Sequence, residues 1–572
     1  MSLRNVLIIN LTRMGDLIQT TPVISALKKY HPGVRITLAV SNNFAGICPL
    51  MRHIDRLIVF PISDLLRMLY DGGTNLVRAY RLIEGIVGEM NDTFYDMTLN
   101  FTHSSDSMVL TTLVSTADIR GATMDGRGHV LKSHPWMQYF FNVIPCRRYN
   151  PFHLCDMYLR AACPAPAERG LILDVPEEVG DRVADMLAAQ GVGESDTLVG
   201  LQLGASAEDK RWPVHSFAEV ADRLAALGAQ IVLTGSKGEA PHGEEFMAVA
   251  RTKSLNFIGK TTLEELAGLI KRCNLFISND TGPLHIATAV GTTTINVSMA
   301  SVNFRETGPY GEGHYVIAPE APCFPCDFGT QCGDPVCKAM VRVDHVFELA
   351  RCMLTGAPFD REDYELWRDV QVYRTSFGTD GFIDYEPLIQ RPLRTDDIYR
   401  MIFRKTWPVI LGGNDGSGDI DVADILSGVE KRHGPEDSLP VVDTLGSDRM
   451  YFARLMALAE EGSLRASLMA REAGKVAPDV LWLKDEVMRL SEIDREIEIM
   501  GSAHPPLKPL MVMFRYGKEA LGEQGLTPVA SETRDLYGRL RMHASLVLQI
   551  IDGLVSARRN ADRRQESSVC VQ

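Results

Sequence analysis

The sequence predicts an α/β protein with two doubly wound lobes, followed by a mostly α-helical extension. Short apolar runs alternate with helical patterns twice within about the first 350 residues, which is typical of parallel sheets covered by helices. The length of 572 residues exceeds what one hydrophobic core usually serves. Long amphipathic stretches then replace the alternation. We therefore divide the chain into lobes at 1–170 and 171–355 and an extension at 356–572.

The first lobe is predicted from four short apolar segments that lie between helical patterns. Its strands are expected at residues 6–10, 36–40, 57–60 and 95–101. Its helices are expected from about Pro22 to His31 and at 74–90 and 107–116. Because strands and helices alternate, the strands should pair in parallel and form a Rossmann-like sheet.

The second lobe repeats the same alternation. Its strands are expected at residues 198–203, 231–234, 256–258, 275–278 and 294–297. Its helices are expected at 214–228, 241–251, 262–272 and 283–290. Two lobes of this kind place a cleft at the carboxyl ends of both sheets, where open α/β folds bind their ligands.

The extension is predicted to be mostly helical, with amphipathic helices at 450–472, 478–500 and 530–560. Long amphipathic helices usually form a packed bundle or a partner surface rather than a second active site. We therefore expect this region to support oligomerisation or protein docking.

Composition and charge argue against a protein that mainly binds nucleic acid and against one that spans a membrane. The formal net charge of −14 argues against nucleic acid as the main partner, although residues 1–160 carry 16 Lys and Arg against 12 Asp and Glu. That local excess favours an anionic partner for the first lobe. No window approaches the roughly 20 uninterrupted apolar residues that span a bilayer. The 11 cysteines and the lack of a secretion signal predict a cytoplasmic protein with reduced thiols.

The turn after the first predicted strand contains Gly15 and Asp16. Gly15 permits a tight backbone, which places Asp16 at the edge of the cleft. A carboxylate there could act as general base and take a proton from an attacking sugar hydroxyl. Alternatively, Asp16 only caps a helix or turn, and the positive helix end would then lower its pKa and weaken it as a base.

A loop rich in small residues follows the first strand of the second lobe, at 203–213. Ser206 and Lys210 could hold a diphosphate there, because lysine neutralises the charge that builds on a nucleoside-diphosphate leaving group. Alternatively, Lys210 and Arg211 form a solvated surface pair beside a buried Trp212.

A strand end and a helix start meet in the segment 278–285. Pro283 suits the first helical position, and the free amides of Thr281 and Gly282 would form an anion site at the helix N-terminus. His285 lies on the first helical turn and faces either the ligand or the core. Alternatively, Asp280 or Thr281 is a plain N-cap, which explains the full segment less well.

Another turn of the second lobe, at 234–239, ends in Glu239. An acidic residue after such a turn commonly accepts hydrogen bonds from ribose hydroxyls. Glu239 is therefore the ribose candidate, with an exposed loop acid as the alternative.

Four cysteines are spaced C-x2-C-x5-C-x4-C after the last strand of the second lobe, namely Cys323, Cys326, Cys332 and Cys337. This ligand count and density could serve a structural Zn²⁺. The favoured alternative is four reduced thiols, either buried or redox-active. No metal is assigned to the predicted active site.

Together, these motifs resemble glycosyltransferase family 9, the heptosyltransferases that build the inner core of lipopolysaccharide. The similarity covers about residues 4–352. Its motifs follow in the family's order at 11–16 with 20–22, 206–213, 259–266, 278–285 and 307–311. Ala205 departs from the pattern, because some members have a second hydroxyl residue there, and the extension resembles nothing in the family.

The resemblance implies a GT-B fold and inverting transfer of a sugar from a nucleoside-diphosphate sugar, typically ADP-heptose, without a required metal or other cofactor. Asp16 would be the base, Ser206 and Lys210 would contact phosphates, and Glu239 would hold ribose. The segment 280–283 with His285 would contact the donor sugar and the diphosphate. The expected acceptor is an anionic lipopolysaccharide-core-like glycan or glycolipid, with peripheral association at the inner face of the inner membrane.

Two other functions remain open at the sequence level. A sugar-nucleotide epimerase also has two Rossmann-like lobes, and it would act on the donor without an acceptor. A non-catalytic glycan-binding or assembly protein would bind the donor without turnover. The intact set of Asp16, Lys210 and the segment 280–285 argues against such a loss of activity.

Overall fold

The computed structural model describes residues 3–70, 75–163, 169–412, 422–434, 439–522 and 525–569. The chain divides into two compact units. The first unit comprises residues 1–137 and 152–389, and the second comprises 138–151 and 390–572. Both predicted α/β lobes lie within the first unit, apart from residues 138–151 of the first lobe, which belong to the second unit.

The first lobe contains a six-stranded sheet in the order β3-β2-β1-β4-β5-β6. The strands are β1 Asn5–Asn10, β2 Arg35–Ser41, β3 Arg56–Phe60, β4 Met97–Asn100, β5 Ile119–Met124 and β6 Val130–Ser133. All neighbours pair in parallel except β5 and β6, which form an antiparallel pair. The four predicted strands are confirmed, whereas β5 and β6 were not predicted.

The helices of this lobe cover the sheet and lead from it into the second lobe. They are α1 Met14–Ile18, α2 Thr21–Tyr30, α3 Ile62–Tyr70, α4 Leu76–Asn91, α5 Ser105–Thr112, α6 Pro135–Asn142 and α7 Leu154–Ala162. A short 3₁₀ turn lies at Ala45–Leu50, and another, at Ile144–Tyr149, belongs to the second unit together with residues 138–142 of α6. The core of the lobe forms where apolar residues of β1, β2 and β3 pack against α4.

The second lobe contains an eight-stranded sheet in the order β14-β13-β12-β11-β10-β7-β8-β9. The strands are β7 Leu198–Gln202, β8 Gln230–Thr234, β9 Leu255–Asn256, β10 Leu275–Asn279, β11 Thr294–Val297, β12 Tyr315–Pro319, β13 Val370–Phe377 and β14 Ile383–Pro387. Strands β7 to β12 pair in parallel, and β13 and β14 extend the sheet in antiparallel fashion. The fold class predicted from the sequence is confirmed.

Helices lie between the strands of this second sheet. They are α8 Glu177–Ala188, α9 Val214–Ala225, α10 Ala240–Val249, α11 Leu263–Arg272, α12 Gly282–Ala289, α13 Phe304–Thr307, α14 Val336–Met340, α15 Val343–Thr355 and α16 Tyr364–Trp367. One 3₁₀ turn lies at Lys237–Glu239. The large core of the lobe includes the fully buried Trp212 and Trp367.

Residues beyond 355 are mostly helical, as predicted, but two strands that were not predicted lie near the start of this region. Residues 370–387 form β13 and β14 and pair with β12, so they complete the second sheet. The first unit accordingly continues to residue 389 rather than ending at 355. Sequence periodicity did not reveal these strands, because their stability depends on pairing with a strand more than 50 residues earlier.

The second unit is helical, as predicted for the extension. Its helices are α17 Thr395–Leu411, α18 Val422–His433, α19 Leu439–Ala473, α20 Val480–Ala503, α21 Lys508–Glu519 and α22 Leu526–Val569. A 3₁₀ turn at Pro505–Leu507 joins α20 to α21. The long helices α19 and α22 pack along each other. In the described ranges, no helix is both long enough and apolar enough to cross a bilayer.

Candidate active site

The loops that carry the predicted site residues leave the carboxyl ends of neighbouring parallel strands. Asp16 follows β1, which lies between β2 and β4 at the point where the strand order reverses. In the second sheet, β10, β7 and β8 are adjacent and parallel, so the loops after them share one edge. Ligands of open α/β sheets bind at such reversal points, which supports the predicted location of the site.

A short helix, α1, carries Gly15 and Asp16. The helix predicted to begin near Pro22 is confirmed as α2, which begins at Thr21, whereas the separate short helix α1, which begins at Met14, was not predicted. The side chain of Asn10 fixes the turn: its Nδ2 donates to the carbonyl of Asp16 at 3.0 Å, and its Oδ1 accepts from the backbone of Thr12 at 3.2 Å.

The environment of Asp16 raises its pKa above the ordinary value of 3.8. Burial is the largest cause, and it outweighs the opposing charge of Arg13 and the hydrogen bonds from the Arg13 backbone and the Thr12 side chain. The expectation that a helix end would lower this pKa is therefore wrong. A raised pKa increases the affinity of a carboxylate for a proton, which favours a role as general base over that of an ordinary exposed aspartate.

The two motifs predicted to carry the function are in direct contact within the first unit. A Cβ atom added to Gly15 would lie 2.5 Å from Cδ2 of His285, so only glycine fits beneath this imidazole. On the other side of the contact, Gly282 lies against Met14. Helix α1 therefore packs against α12 through glycines, and the turn that carries Asp16 lies beside the start of α12.

His285 is buried and faces the contact between the lobes rather than open solvent. Its Nδ1 lies 3.3 Å from Nε2 of Gln19, which is also buried. Burial lowers the pKa of His285 to about 4, so the ring is neutral at physiological pH. His285 therefore contributes no fixed charge to the site.

Replacing Gly15 by Ala is expected to destabilise the protein by about 1–3 kcal/mol, because the new methyl group forces the His285 ring out of its position. Thermal unfolding measures this effect. Gly85, in α4, is the matched control, since no atom lies within 4 Å of a Cβ added there. Gly85→Ala should stabilise the protein by about 0.5–1 kcal/mol through helix propensity. Equal behaviour of the two variants would contradict the proposed contact.

The loop after β7 carries Ser206 and Lys210 and is tied to the end of β10 by Asn279. The Oδ1 of Asn279 accepts from the backbone of Trp212 at 2.9 Å. Its Nδ2 donates to the carbonyls of Leu203 and Gly204, each at 3.1 Å. One buried amide thus holds both ends of the loop beside the segment 280–283.

Within that loop, Ser206 is exposed and Lys210 is partly exposed, and both are accessible to a ligand. Trp212 is fully buried, as the sequence suggested, and its Nε1 donates to the carbonyl of Val341 at 2.7 Å. The loop is therefore anchored at Trp212, while its cation stays near the surface. This arrangement is compatible with phosphate binding by Lys210.

The start of α12 presents backbone amides in the way that the sequence suggested. Thr281 is the N-cap residue, but its side chain makes no capping hydrogen bond. Its hydroxyl lies 3.2 Å from that of Ser278. Gly282 is the first helical residue, and Pro283 follows it one position later than predicted. Because Thr281 does not cap the helix with its side chain, the plain N-cap alternative loses support at this residue.

Glu239 lies over the loop after β7, half-buried rather than exposed. Its Oε1 accepts from Nε2 of Gln202 at 2.9 Å, and its Oε2 accepts from the backbone and hydroxyl of Ser236 at 2.6 and 2.8 Å. A Cβ atom on Gly204 would overlap with Oε1. These contacts fix the carboxylate at the edge shared by the loops after β7 and β8, which disfavours a free loop acid.

Comparison with known families identifies the chain. Residues 89–333 match the profile of glycosyltransferase family 9 (heptosyltransferase). A glycosyltransferase family 9 domain therefore occupies residues 89–333 of this chain. The matched residues include the loop after β7, Glu239 and the segment 278–285, whereas Asp16 precedes them.

Curated relatives of this glycosyltransferase carry heptosyltransferase names. Lipooligosaccharide heptosyltransferase 2 of Haemophilus influenzae is 24% identical over 298 residues, which is 50% of this chain and 80% of that protein. Lipopolysaccharide heptosyltransferase 3 of Escherichia coli K12 is 27% identical over 290 residues, 50% of this chain and 79% of that protein. These matches agree with a glycosyltransferase in half of the chain.

Solved structures of the family are also similar to this glycosyltransferase. A family 9 protein of Veillonella parvula matches with a TM-score of 0.49 and 22% identity, covering 62% of this chain and 98% of that one. The ADP-heptose lipopolysaccharide heptosyltransferase II of E. coli matches with a TM-score of 0.46 and 18% identity, covering 62% of this chain and 99% of that one.

The family-like motif at 307–311 connects the two lobes of the glycosyltransferase. Nε2 of the buried His153 lies 3.1 Å from the carbonyl of Gly308. The hydroxyl of Tyr310 donates to Asp156 at 2.8 Å. Because His153 and Asp156 lie at the start of α7, this motif fixes the first lobe against the second rather than contacting a predicted ligand group.

The four clustered cysteines surround one small pocket of about 20 Å³ after β12. Cys323 and Cys332 are exposed, and Cys337 is buried. Burial and the neighbouring thiol of Cys323 raise the pKa of Cys326. Among the residues that the structure describes, no three His, Cys, Asp or Glu side chains are placed to share a metal ion. The zinc hypothesis thus receives no geometric support, and four neighbouring thiols remain the favoured interpretation.

Sequence reasoning missed the amides that position the site, namely Asn10, Gln19, Gln202 and Asn279. Each is at most 1% exposed and bonds to a loop that carries a predicted functional residue. Three of them end an apolar strand and Gln19 directly follows α1, and a buried polar side chain at such a position must find a partner. A polar residue at such a position was the available signal.

Proposed function

We propose that this glycosyltransferase transfers heptose, with inversion, from ADP-heptose to an anionic lipopolysaccharide-core-like acceptor. The observation that carries this proposal is the contact of Gly15 with His285. It places the candidate base Asp16 beside the helix start that would hold the donor. The names of the curated relatives support heptose as the sugar and lipopolysaccharide as the acceptor class.

The proposed role of Asp16 is to accept the proton of the acceptor hydroxyl as that oxygen attacks the anomeric carbon. Its burial and raised pKa support this role, since both increase the affinity of the carboxylate for a proton. Attack from the face opposite the leaving group inverts the configuration of that carbon. One step therefore forms the new glycosidic bond and releases the nucleoside diphosphate.

The proposed donor site is the edge formed by the loops after β7, β8 and β10. Ser206 and Lys210 would contact the diphosphate, together with the backbone amides at the start of α12. Lys210 would offset the negative charge that develops on the leaving diphosphate. Glu239 would hold the ribose through the carboxylate lone pairs that Gln202 and Ser236 leave open.

The curated relatives also favour transfer over the alternatives of an epimerase and a binding protein, because those relatives are named heptosyltransferases. A peripheral position at the inner membrane is part of this proposal, since its acceptor is a glycolipid. The excess of Lys and Arg in residues 1–160 is consistent with such an acceptor.

A thermal-shift comparison of nucleoside diphosphates tests the donor site. ADP should raise the apparent Tm more than UDP or GDP, because a ligand that binds only the native state stabilises it by about 2.7 kcal/mol at 100 times its Kd. ADP-heptose should exceed ADP if the sugar is also recognised. Greater stabilisation by UDP or GDP would contradict ADP-heptose as the donor.

A further inference from the structure

Helix α4 presents an exposed apolar row that its packing does not use. Its inner face, including Ala79, Ile86 and Met90, is buried against the first sheet. On the outer face, Leu76, Val77 and Tyr80 are 56%, 67% and 64% exposed. At 100° per residue, these three side chains project from neighbouring positions of the first turn and a half of the helix. Large exposed side chains grouped in this way mark an interaction surface.

Arginines border this apolar row. Arg78 and Arg81 lie on α4 on the side turned toward α3, and Arg67 lies on α3. All three line a groove of about 700 Å³ between the two helices. Among the described residues, the acidic groups nearby are Asp64, whose Oδ1 lies 3.6 Å from Nη1 of Arg67, and the exposed Glu84 one turn beyond Tyr80. Asp71, between α3 and α4 in the sequence, lies outside the described residues. With Asp71 counted, the N-terminal half of the face has three arginines against two carboxylates and is net positive.

We infer that this face, composed of Arg67, Leu76, Val77, Arg78, Tyr80 and Arg81, docks the protein on an anionic lipid bilayer. Aliphatic and tyrosine side chains bordered by arginines match the interfacial region of a membrane, where apolar groups enter the acyl boundary and guanidinium groups meet lipid phosphates. The protein as a whole carries a net charge of −14, so an anionic surface would attract this positive face and repel most others.

The position of the face in the fold would bring the bilayer to the side of the first lobe that carries the candidate base. Helix α3 begins directly after β3, at the same carboxyl edge from which the loop with Asp16 leaves β1. A bilayer that contacts α3 and α4 therefore lies on the side of the first sheet that carries the candidate base. This role of docking rests on the proposed function, because only a lipid-linked acceptor requires it. Docking on the bilayer itself does not depend on the proposed function.

Vesicle binding by the full-length protein tests the inference. The probe is a set of vesicles of phosphatidylcholine with 30% phosphatidylglycerol, compared with phosphatidylcholine alone, in the absence of donor and acceptor. We expect binding to the anionic vesicles only, and weaker binding as ionic strength increases. In the double variant Arg78→Gln/Arg81→Gln, the affinity should fall roughly 30-fold, since each basic residue near an anionic surface contributes about a factor of five.

Two further double variants test whether vesicle binding depends on this face rather than on the overall charge of the protein. Leu76→Ser/Val77→Ser should also weaken binding, because it removes apolar area and leaves the arginines in place. Arg495→Gln/Arg541→Gln is the matched control: it removes the same charge from exposed positions of α20 and α22, and it should bind as the original protein does.

Three results would overturn the inference. They are no binding of the original protein to anionic vesicles, equal losses in the Arg78/Arg81 and Arg495/Arg541 variants, and a change of sedimentation mass in the Leu76/Val77 variant, which would indicate a second copy as the occupant. Because vesicle binding needs no turnover, it can succeed when heptosyl transfer fails, and the two failures are distinguishable.

Discussion

Replacing Asp16 by Asn is expected to lower the rate of glycosyl transfer by about 10²- to 10⁴-fold, the range that a positioned general base contributes. The amide keeps the size of the side chain and its place in α1 but cannot accept the acceptor's proton. Donor binding should persist, because the proposed donor contacts come from the second lobe. Steady-state release of nucleoside diphosphate measures the rate, and a thermal shift with ADP measures binding.

The same substitution should leave the stability at neutral pH unchanged or raise it. Burial raises the folded-state pKa of Asp16 above the unfolded value, so the fold favours the protonated carboxyl group. The stabilisation from this group is therefore fully present below the unfolded pKa and is lost as pH rises through the folded pKa. At pH values above the folded-state pKa the buried charge destabilises the original protein, and asparagine removes that charge.

Exposed Asp181, in α8, provides the matched control, since Asp181→Asn makes the same chemical change away from the cleft. It should alter neither rate nor stability. The pH profile of the original protein gives an independent check: the rate should fall on acidification with an inflection above 3.8. Normal turnover by the Asp16→Asn protein would refute the assigned base.

Replacing Lys210 by Met is expected to lower kcat/KM by about 10²- to 10³-fold, the cost of removing one group that stabilises developing negative charge. Methionine keeps much of the aliphatic stem and removes the ammonium group. Since the loop is anchored by Asn279 and Trp212 rather than by Lys210, the fold should be retained. Rates and the ADP-induced thermal shift should both decrease.

Lys271→Met is the control for that change, because Lys271 is an exposed lysine in the last turn of α11. It should behave as the original protein does. If the Lys210 variant also retained its rate, Lys210 and Arg211 would be the solvated pair that was the alternative interpretation.

The local sequence pattern predicted the strands that are apolar and buried. It missed the strands that contain polar residues or are only partly buried. Strands such as β1 and β10 are continuous apolar runs, which periodicity identifies. The segment Ile119–Met124 contains Arg, Gly and Thr, and Val130–Ser133 is only partly buried, so neither shows a clear pattern. Their pairing, like that of β13 with β12, depends on contacts between distant segments.

The candidate site was predicted more completely than its surroundings. Motif spacing located Asp16, Lys210, Glu239 and the segment 280–285 at strand ends, and the structure places each of them there. The direction of the Asp16 pKa shift was not predictable, because it depends on burial of the carboxyl group, close to Cys155 and Tyr158 of α7, rather than on the helix end alone. The contact of Gly15 with His285 joins residues 270 positions apart, which no local pattern shows.

The most direct measurement is the release of ADP from ADP-heptose by the full-length protein, with and without a lipopolysaccharide inner-core acceptor. The proposed function predicts ADP release that requires the acceptor, a matching heptosylated product, and loss of both in the Asp16→Asn protein. Conversion of the donor without any acceptor would instead indicate an epimerase or a hydrolase. Tight binding of ADP-heptose without turnover, across a panel of inner-core acceptors, would contradict the proposed transfer.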